Sequence, residues 1–212
     1  MSQHIETLKE DIGFNVLNNW AKDATEVAGR IITTSGAATA ALPNGTATGT
    51  RNLLTMDDVR AAAAMLDKDN VPKSGRVMTM PVDMYYELVG TDSVAFANRF
   101  GNATQQTGVV DRLYGFDIYM KPTVNTYTGT SNVIKVVGAA EAIDDCNGVL
   151  FWQSNSVALA DGSANLYSDA GDGGNGSPTN YGVVISAEQL MGSKALRTDL
   201  KGVGAIVQGY TA

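Results

Sequence analysis

The sequence has one cysteine and one histidine in 212 residues, which excludes several common kinds of site. Cys146 has no partner for a disulfide within the chain, and such sparse cysteine usage is typical of a reducing compartment. A structural zinc site needs four nitrogen or sulfur ligands, more than Cys146 and His4 can supply. His4 would be the base of any Ser-His-Asp or Cys-His arrangement, but it lies at an exposed position of a predicted helix. We interpret it as a surface residue.

Basic residues and long apolar runs are also scarce. The chain has 15 Lys and Arg residues against 22 Asp and Glu residues, which gives a net charge of -7. Nucleic-acid-binding proteins need clustered basic residues, so we expect only non-specific contact with DNA. No apolar stretch approaches the roughly 20 residues of a membrane span. Met1 is not followed by the basic and apolar regions of a signal peptide. We therefore predict no membrane partner.

Some acidic residues occur in pairs, and paired carboxylates can act as the general acid and base of a catalytic site. Asp57 and Asp58 stand at a predicted helix start, and Asp144 and Asp145 border a strand end near Glu141. Acidic residues at a helix N-terminus are stabilised by the helix dipole, and those at a strand end are readily solvated. We interpret all five as structural and predict no catalytic residue.

A glycine-rich segment over Ser168–Pro178 resembles no known ligand loop closely enough to predict one. Asp169, Asp172 and Asn175 lack the spacing and the closing glutamate of a calcium loop. Gly171–Gly176 is followed by neither Lys-Ser/Thr nor a helix start, so it is not a phosphate loop. We expect a flexible loop there, with no metal and no cofactor.

Six aromatic residues at helix and strand spacing are interpreted as core rather than as a binding cleft: Trp20, Tyr85, Tyr86, Phe96, Tyr114 and Phe116.

The clearest pattern extends from Leu53 to Tyr119. Thr55 is a suitable N-cap for a helix whose apolar residues recur at helical spacing and which stops within the charged run 67–70. A short strand over Arg76–Met80 follows. Pro81 suits the first turn of a second helix, whose apolar stripe is Met84, Tyr85, Leu88 and Val89. Gly108–Met120 is predicted to return as extended chain, bent at Gly115.

The flanking regions predict a long helix and several strands. The helix has an apolar stripe from Met1 to Trp20 that includes Ile12 and Val16. Surface loop is expected over Ala37–Thr50, and one turn of helix over Val157–Ala160. The predicted strands are Ala28–Thr34, Ser131–Gly138, Val149–Trp152, Tyr181–Leu190, Gly192–Arg197 and Val203–Gln208.

These elements together resemble the major capsid proteins of tailed bacteriophages. One part of the chain resembles the axial domain of that family through the order of its elements. That order is a helix, Asn70-Val71-Pro72, Gly75-Arg76, a strand, a second helix and a returning strand. The tail from Tyr181 to Gln208 resembles the closing strands of its peripheral domain. The resemblance implies an α+β, Hong-Kong-97-type capsid fold, with a long spine helix, a peripheral β-rich domain and an axial α/β domain. The resemblance implies three divisions. Residues 1–35 form the spine helix and the start of the peripheral domain, and residues 36–145 form the axial domain. Residues 146–212 return to the β-sheet of the peripheral domain.

The resemblance also implies a function. The expected protein is a structural major capsid protein, not an enzyme, that self-assembles into the icosahedral shell enclosing a phage genome. Its partners would be copies of itself in pentamers and hexamers, together with scaffold, portal and decoration proteins. Its location would be the virion, after assembly in the host cytoplasm. The loop Asn98–Thr107, which contains Arg99 and is followed by Arg112, is expected close to a five- or six-fold axis. Some family members cross-link a lysine to an asparagine, but no residue here can be assigned to that bond.

Two alternatives remain open at this point. An encapsulin compartment is built on the same fold, and a small α/β enzyme with an unrecognised site belongs to a different class of function. The apolar stripe of the first helix begins at Met1 without a capping box, and the family's N-terminal arm and extended loop do not precede it. We therefore expect Met1 to be an internal methionine of a longer gene product.

Overall fold

The computed structural model describes residues 2–27, 29–91, 109–122, 125–169 and 184–212. The chain divides into two compact units. The first comprises Met1–Ala158 and Lys194–Ala212, and the second comprises Leu159–Ser193.

Within the described ranges the chain forms three α-helices, one short 3-10 helix and eleven strands. The helices are α1 (Ser2–Thr25), α2 (Met56–Lys68) and α3 (Val82–Thr91), and the 3-10 helix is Ser154–Ser156. The strands are β1 (Ile31–Thr33), β2 (Thr50–Arg51), β3 (Arg76–Pro81), β4 (Val109–Leu113), β5 (Phe116–Lys121), β6 (Thr126–Thr128), β7 (Asp145–Gln153), β8 (Val157–Asp169), β9 (Val184–Ala195), β10 (Val203–Val207) and β11 (Tyr210–Thr211).

A mixed sheet in the order β1-β10-β7-β3-β5-β4 forms the centre of the first unit, and β6 also pairs with β7. The pairs β1–β10 and β3–β5 are parallel, and the other pairs are antiparallel. Every residue of β7 and β10 is buried, which requires cover on both faces of the sheet. Helices supply that cover, α2 and α3 on one face and α1 on the other.

Alternation along β7 assigns its side chains to two separate cores. Val149 and Phe151 belong to the core under α2 and α3, whereas Leu150 and Trp152 belong to the core under α1. Phe151 meets Phe116 edge-to-face at a centroid distance of 5.8 Å. Its ring lies so close to β10 that a Cβ at Gly204 would stand 2.4 Å from it.

Both ends of α2 are stabilised by side chains, as the sequence predicted for its start. Thr55 is the N-cap, and it forms a reciprocal capping box with Asp58. At the other end, the buried Arg76 guanidinium donates to the carbonyl of Val71 and to the carboxylate of Asp67. Positive charge is favourable beside the carbonyls that end a helix.

The long helix α1 exists as predicted, but its buried face is centred differently. Leu17, Ala21 and Ala24 are buried against the sheet, because small alanine side chains let the helix approach closely. Of the residues in the predicted stripe, Val16 is buried, whereas Ile12 and Trp20 are only half-buried. Trp20 nevertheless contacts the Trp152 ring at 5.4 Å between centroids.

Four local predictions are wrong. Ser131–Gly138 is a loop that forms a single bridge at Ile134, because a turn with Asn132 at a φ of +53° interrupts it. Val157–Ala160 is strand rather than helix, since it pairs with β9. Gly192 does not separate two strands but lies inside β9. The second helix begins at Val82, and Pro81 is the last residue of β3.

The expected division at residues 35 and 145 stays a prediction, since the two compact units divide the chain elsewhere, at residues 158 and 194. Strands β7 and β10 come from the segment 146–212 and its boundary, yet they lie beside β3 in one sheet. Pairing between strands distant in sequence therefore unites segments that a linear division separates.

Candidate assembly surfaces

The two aspartate pairs serve structural roles. Asp58 accepts from the backbone and hydroxyl of Thr55, and the exposed Asp57 pairs with Arg60 at 3.0 Å. Asp144 accepts from the Thr130 hydroxyl at 2.6 Å, and this hydrogen bond lowers the pKa of Asp144. Of the first pair, Asp58 therefore takes part in the helix cap and Asp57 in a surface ion pair.

Asp145 is buried and holds two loops together. Lys135 Nζ lies 2.7 Å from Oδ1, and Asn44 Nδ2 and the Ala142 amide each donate to Oδ2 at 2.9 Å. Burial disfavours the carboxylate, but the hydrogen bonds from Lys135, Ala142 and Asn44 outweigh it and lower the pKa of Asp145. Glu141, the acidic residue considered together with this pair, accepts a hydrogen bond from the Thr46 hydroxyl at 2.8 Å.

Arg51 is a fully buried cation that sequence reasoning missed. It donates to the Asp145 carbonyl at 2.7 Å and to the Thr48 carbonyl at 2.9 Å, and it lies 4.3 Å from the centre of the Tyr210 ring. The neighbouring residues are polar, so no apolar pattern marks it as interior. Its contacts fix the C-terminal strand to the loop that precedes β2.

The predicted aromatic core is confirmed in part. Phe116 is buried and Trp20 is packed against the α1 core, but Tyr86 and Tyr114 are exposed. Tyr114 occupies the turn between β4 and β5, with a φ of +51°, where it faces solvent.

Several predicted residues lie outside the part that the structure describes. The side chains of His4, Phe96, Arg99, Arg112, Asp169, Asp172 and Asn175 are among them, as are all of Gly171–Gly176 and all of Asn98–Thr107. Among the side chains that are described, no cluster of three potential metal ligands occurs. None of the described helices is both long and apolar enough to cross a membrane.

The described part of the second unit is what we call the β8–β9 ribbon, the paired strands β8 and β9 over residues 159–169 and 184–193. Every described side chain from Leu159 to Tyr167 is exposed, including Leu166, and Leu190 is exposed on the other strand. Leu166 and Tyr167 are consecutive in a strand, so they point to opposite faces. A two-stranded sheet is marginally stable alone, and this one has apolar side chains on both faces without a described cover. The ribbon therefore has the character of a contact surface.

A second candidate surface lies on the first unit. Two cavities of about 210 and 330 Å³ share Pro43 and Thr126, and we call them together the Pro43 groove. Phe14 and Val136 contribute apolar walls to the smaller cavity, and Asp145 with its partner Lys135 contributes polar groups. The loops beside the Pro43 groove carry four exposed apolar side chains, which are Leu42, Val133, Val136 and Ile143. Patches of this kind mark interaction sites.

Comparisons with known proteins identify the fold. No family model and no curated protein matches the sequence. Among solved structures, the capsid of cyanophage P-SCSP1u is similar over 100% of this chain, with a TM-score of 0.59 and 19% identity. The acid-stable capsid of Helicobacter pylori bacteriophage KHP30 is similar over 94%, with a TM-score of 0.56 and 11% identity. The capsid of Ralstonia phage GP4 is similar over 85%, with a TM-score of 0.51 and 16% identity.

The chain therefore has the mixed α+β fold found in phage capsids, as its sequence predicted. It spans 65%, 65% and 53% of the chains in the three structures just described, in that order.

Proposed function

We propose that this chain is a structural major capsid protein that self-assembles into an icosahedral phage shell. The observation that carries the proposal is the β8–β9 ribbon, which exposes Leu159, Leu166 and Leu190 on a protein with a phage-capsid fold. A two-stranded sheet is only marginally stable alone, and exposed leucines on its described strands favour burial against another surface. Identical neighbours supply the cover when copies assemble.

The structural parts take the following places in this proposal. Helix α1 is the spine helix, and the central sheet with α2 and α3 is the axial domain. The ribbon belongs to the peripheral domain, which the sequence resemblance assigns to residues 1–35 and 146–212. Pentamers and hexamers form through axial domains, and scaffold, portal and decoration proteins are further partners.

The proposed role is not enzymatic. The acidic pairs form a helix cap, an ion pair and hydrogen bonds to neighbouring loops. The net charge of -7 suits a shell that holds packaged DNA without binding it tightly. The three capsids described above belong to phages, which favours a phage shell over an encapsulin compartment.

Sedimentation velocity of the purified protein tests this proposal. An icosahedral shell needs at least about 60 copies, which is about 1.3 MDa for a 22.2 kDa chain. A single sharp boundary at or above that mass, in equilibrium with subunits or small oligomers, is the expected result. A protein that stays monomeric at all concentrations would contradict the proposal.

A further inference from the structure

Residues 159–193 carry a negative charge that no basic residue offsets. They contain no lysine, arginine or histidine, but they contain four acidic residues, which are Asp161, Asp169, Asp172 and Glu188. This segment therefore accounts for -4 of the net charge of -7. Asp161 and Glu188, whose side chains are described, are both exposed on the β8–β9 ribbon.

The contacts of these two carboxylates are to neutral groups. Asp161 Oδ1 accepts from Gln189 Nε2 at 2.7 Å, and the Tyr167 hydroxyl lies 3.4 Å from Glu188 Oε2. No basic side chain in the part of the chain that the structure describes forms an ion pair with either carboxylate. The ribbon also exposes leucines, so a complementary partner surface is basic and carries an apolar side chain.

One segment of the first unit has the basic part of that composition. Residues 194–201, which we call the basic segment, contain three basic residues and one acidic residue: Lys194, Arg197, Lys201 and Asp199. Arg197 Nη2 lies 2.9 Å from Asp199 Oδ2, and Lys201 Nζ lies 4.0 Å from the same oxygen. Two cations therefore share one carboxylate. Lys194 is exposed and has no ion pair within the described ranges.

The other described basic side chains of the first unit do not form a comparable segment. Each helix has more acidic than basic residues, four against two in α1, three against two in α2 and two against none in α3. In the loops, Lys73 is paired with Asp67 and Lys135 with Asp145. Charge therefore selects the basic segment as the described surface that complements the ribbon.

We infer that the β8–β9 ribbon of one copy docks on the basic segment of a second copy. The carboxylates of the ribbon lie opposite the cations of the segment, and the ribbon leucines cover Leu196, which is 60% exposed in the single chain. This inference rests on the proposed function and names the two surfaces that meet. Because the surfaces differ, their contact is heterologous and continues from copy to copy until a ring closes. Complementary charge also fixes the register of such a contact.

Charge reversal on each surface, alone and in a mixture, tests the contact. The ribbon variant is Asp161→Lys with Glu188→Lys, and the segment variant is Lys194→Glu with Lys201→Glu. Each variant alone places like charges at the contact, so its critical concentration for assembly, measured by light scattering, should rise at least about tenfold. An equimolar mixture should assemble within about threefold of the parent's concentration, because each altered surface then meets the opposite charge on the other variant. Recovery by mixing requires that the contact join two copies rather than lie within one.

A matched control makes the same change in net charge elsewhere. Lys9→Glu with Lys68→Glu replaces two exposed lysines on α1 and α2 and should assemble within about threefold of the parent's concentration. The substituted side chains lie at the surface, so the melting temperature of each subunit should stay within about 3 °C of the parent's. If a reversal unfolds the subunit, Asp161→Asn with Glu188→Gln replaces it and should raise the critical concentration at least about threefold.

The outcomes separate the two proposals. The inference is overturned, and the proposed function stands, if a folded reversal or neutral variant assembles at the parent's concentration. It is equally overturned if the mixture assembles no better than its components, or if the control variant loses assembly to the same extent. A parent that forms no shells removes the proposed function and the inference with it.

Discussion

Replacing the three ribbon leucines by serine should weaken assembly without weakening the subunit. Leu159, Leu166 and Leu190 are 55%, 68% and 66% exposed in the single chain. Fully burying a leucine is worth about 1.5–3 kcal/mol, so covering the exposed part of each contributes about 1–2 kcal/mol on assembly. Three together contribute about 3–6 kcal/mol per subunit. Since 1.4 kcal/mol is tenfold, the critical concentration for assembly should rise by about 10²- to 10⁴-fold.

Light scattering over a dilution series measures that concentration, and circular dichroism of the unassembled subunit gives its melting temperature. Because these side chains are exposed in the subunit, its melting temperature should change by no more than about 2–3 °C. The matched variant with methionine at all three positions keeps the apolar surface and should assemble nearly as the parent does. If the serine variant assembled at the parent's concentration, the ribbon would not be an assembly surface.

Three further predictions concern the interior of the first unit. Phe151→Ala should lower stability by about 3–5 kcal/mol, or about 6–20 °C in melting temperature by calorimetry, because the ring is fully buried against Phe116; a loss below 1 kcal/mol would contradict that packing. Thr55→Ala should cost about 1 kcal/mol in urea unfolding and Thr55→Ser little, whereas equal losses would argue against the hydroxyl cap. The lowered pKa of Asp145 means that its ion pair stabilises the protein above the unfolded value near 4 and that this contribution disappears as pH falls through the folded value. Asp145→Asn should therefore lose stability at pH 7 and flatten the decline below about pH 4, and an unchanged acid limb would refute the role of this carboxylate.

Local patterns predicted the helices and the buried strands well. The capping sequence at Thr55 placed the start of α2, since its geometry depends on neighbouring residues only. Arg76–Met80 and the run around Val149 appear as β3 and β7, because strands covered on both faces are continuously apolar. Gly115 marks the turn between β4 and β5, where its φ is +89°.

Features that depend on distant residues were missed. The strand over Val157–Ala160 exists through its pairing with β9, which no local window contains. Ser131–Gly138 is rich in β-branched residues, but Val133 and Val136 face solvent, so the pattern marks a surface rather than a buried strand. Arg51 is buried because the carbonyl groups of Thr48, Ile143 and Asp145 surround it, and the last two belong to a segment that is distant in sequence. The candidate assembly surfaces were missed for the same reason, because they too are formed by residues distant in sequence.

Negative-stain electron microscopy of the purified protein tests the central claim most directly. The account predicts closed shells of uniform diameter, whose class averages show five- and six-fold clusters, and it predicts their disappearance in the triple serine variant. A field of single subunits, or of open and irregular aggregates unaffected by those substitutions, would show that this chain does not build a shell through the β8–β9 ribbon.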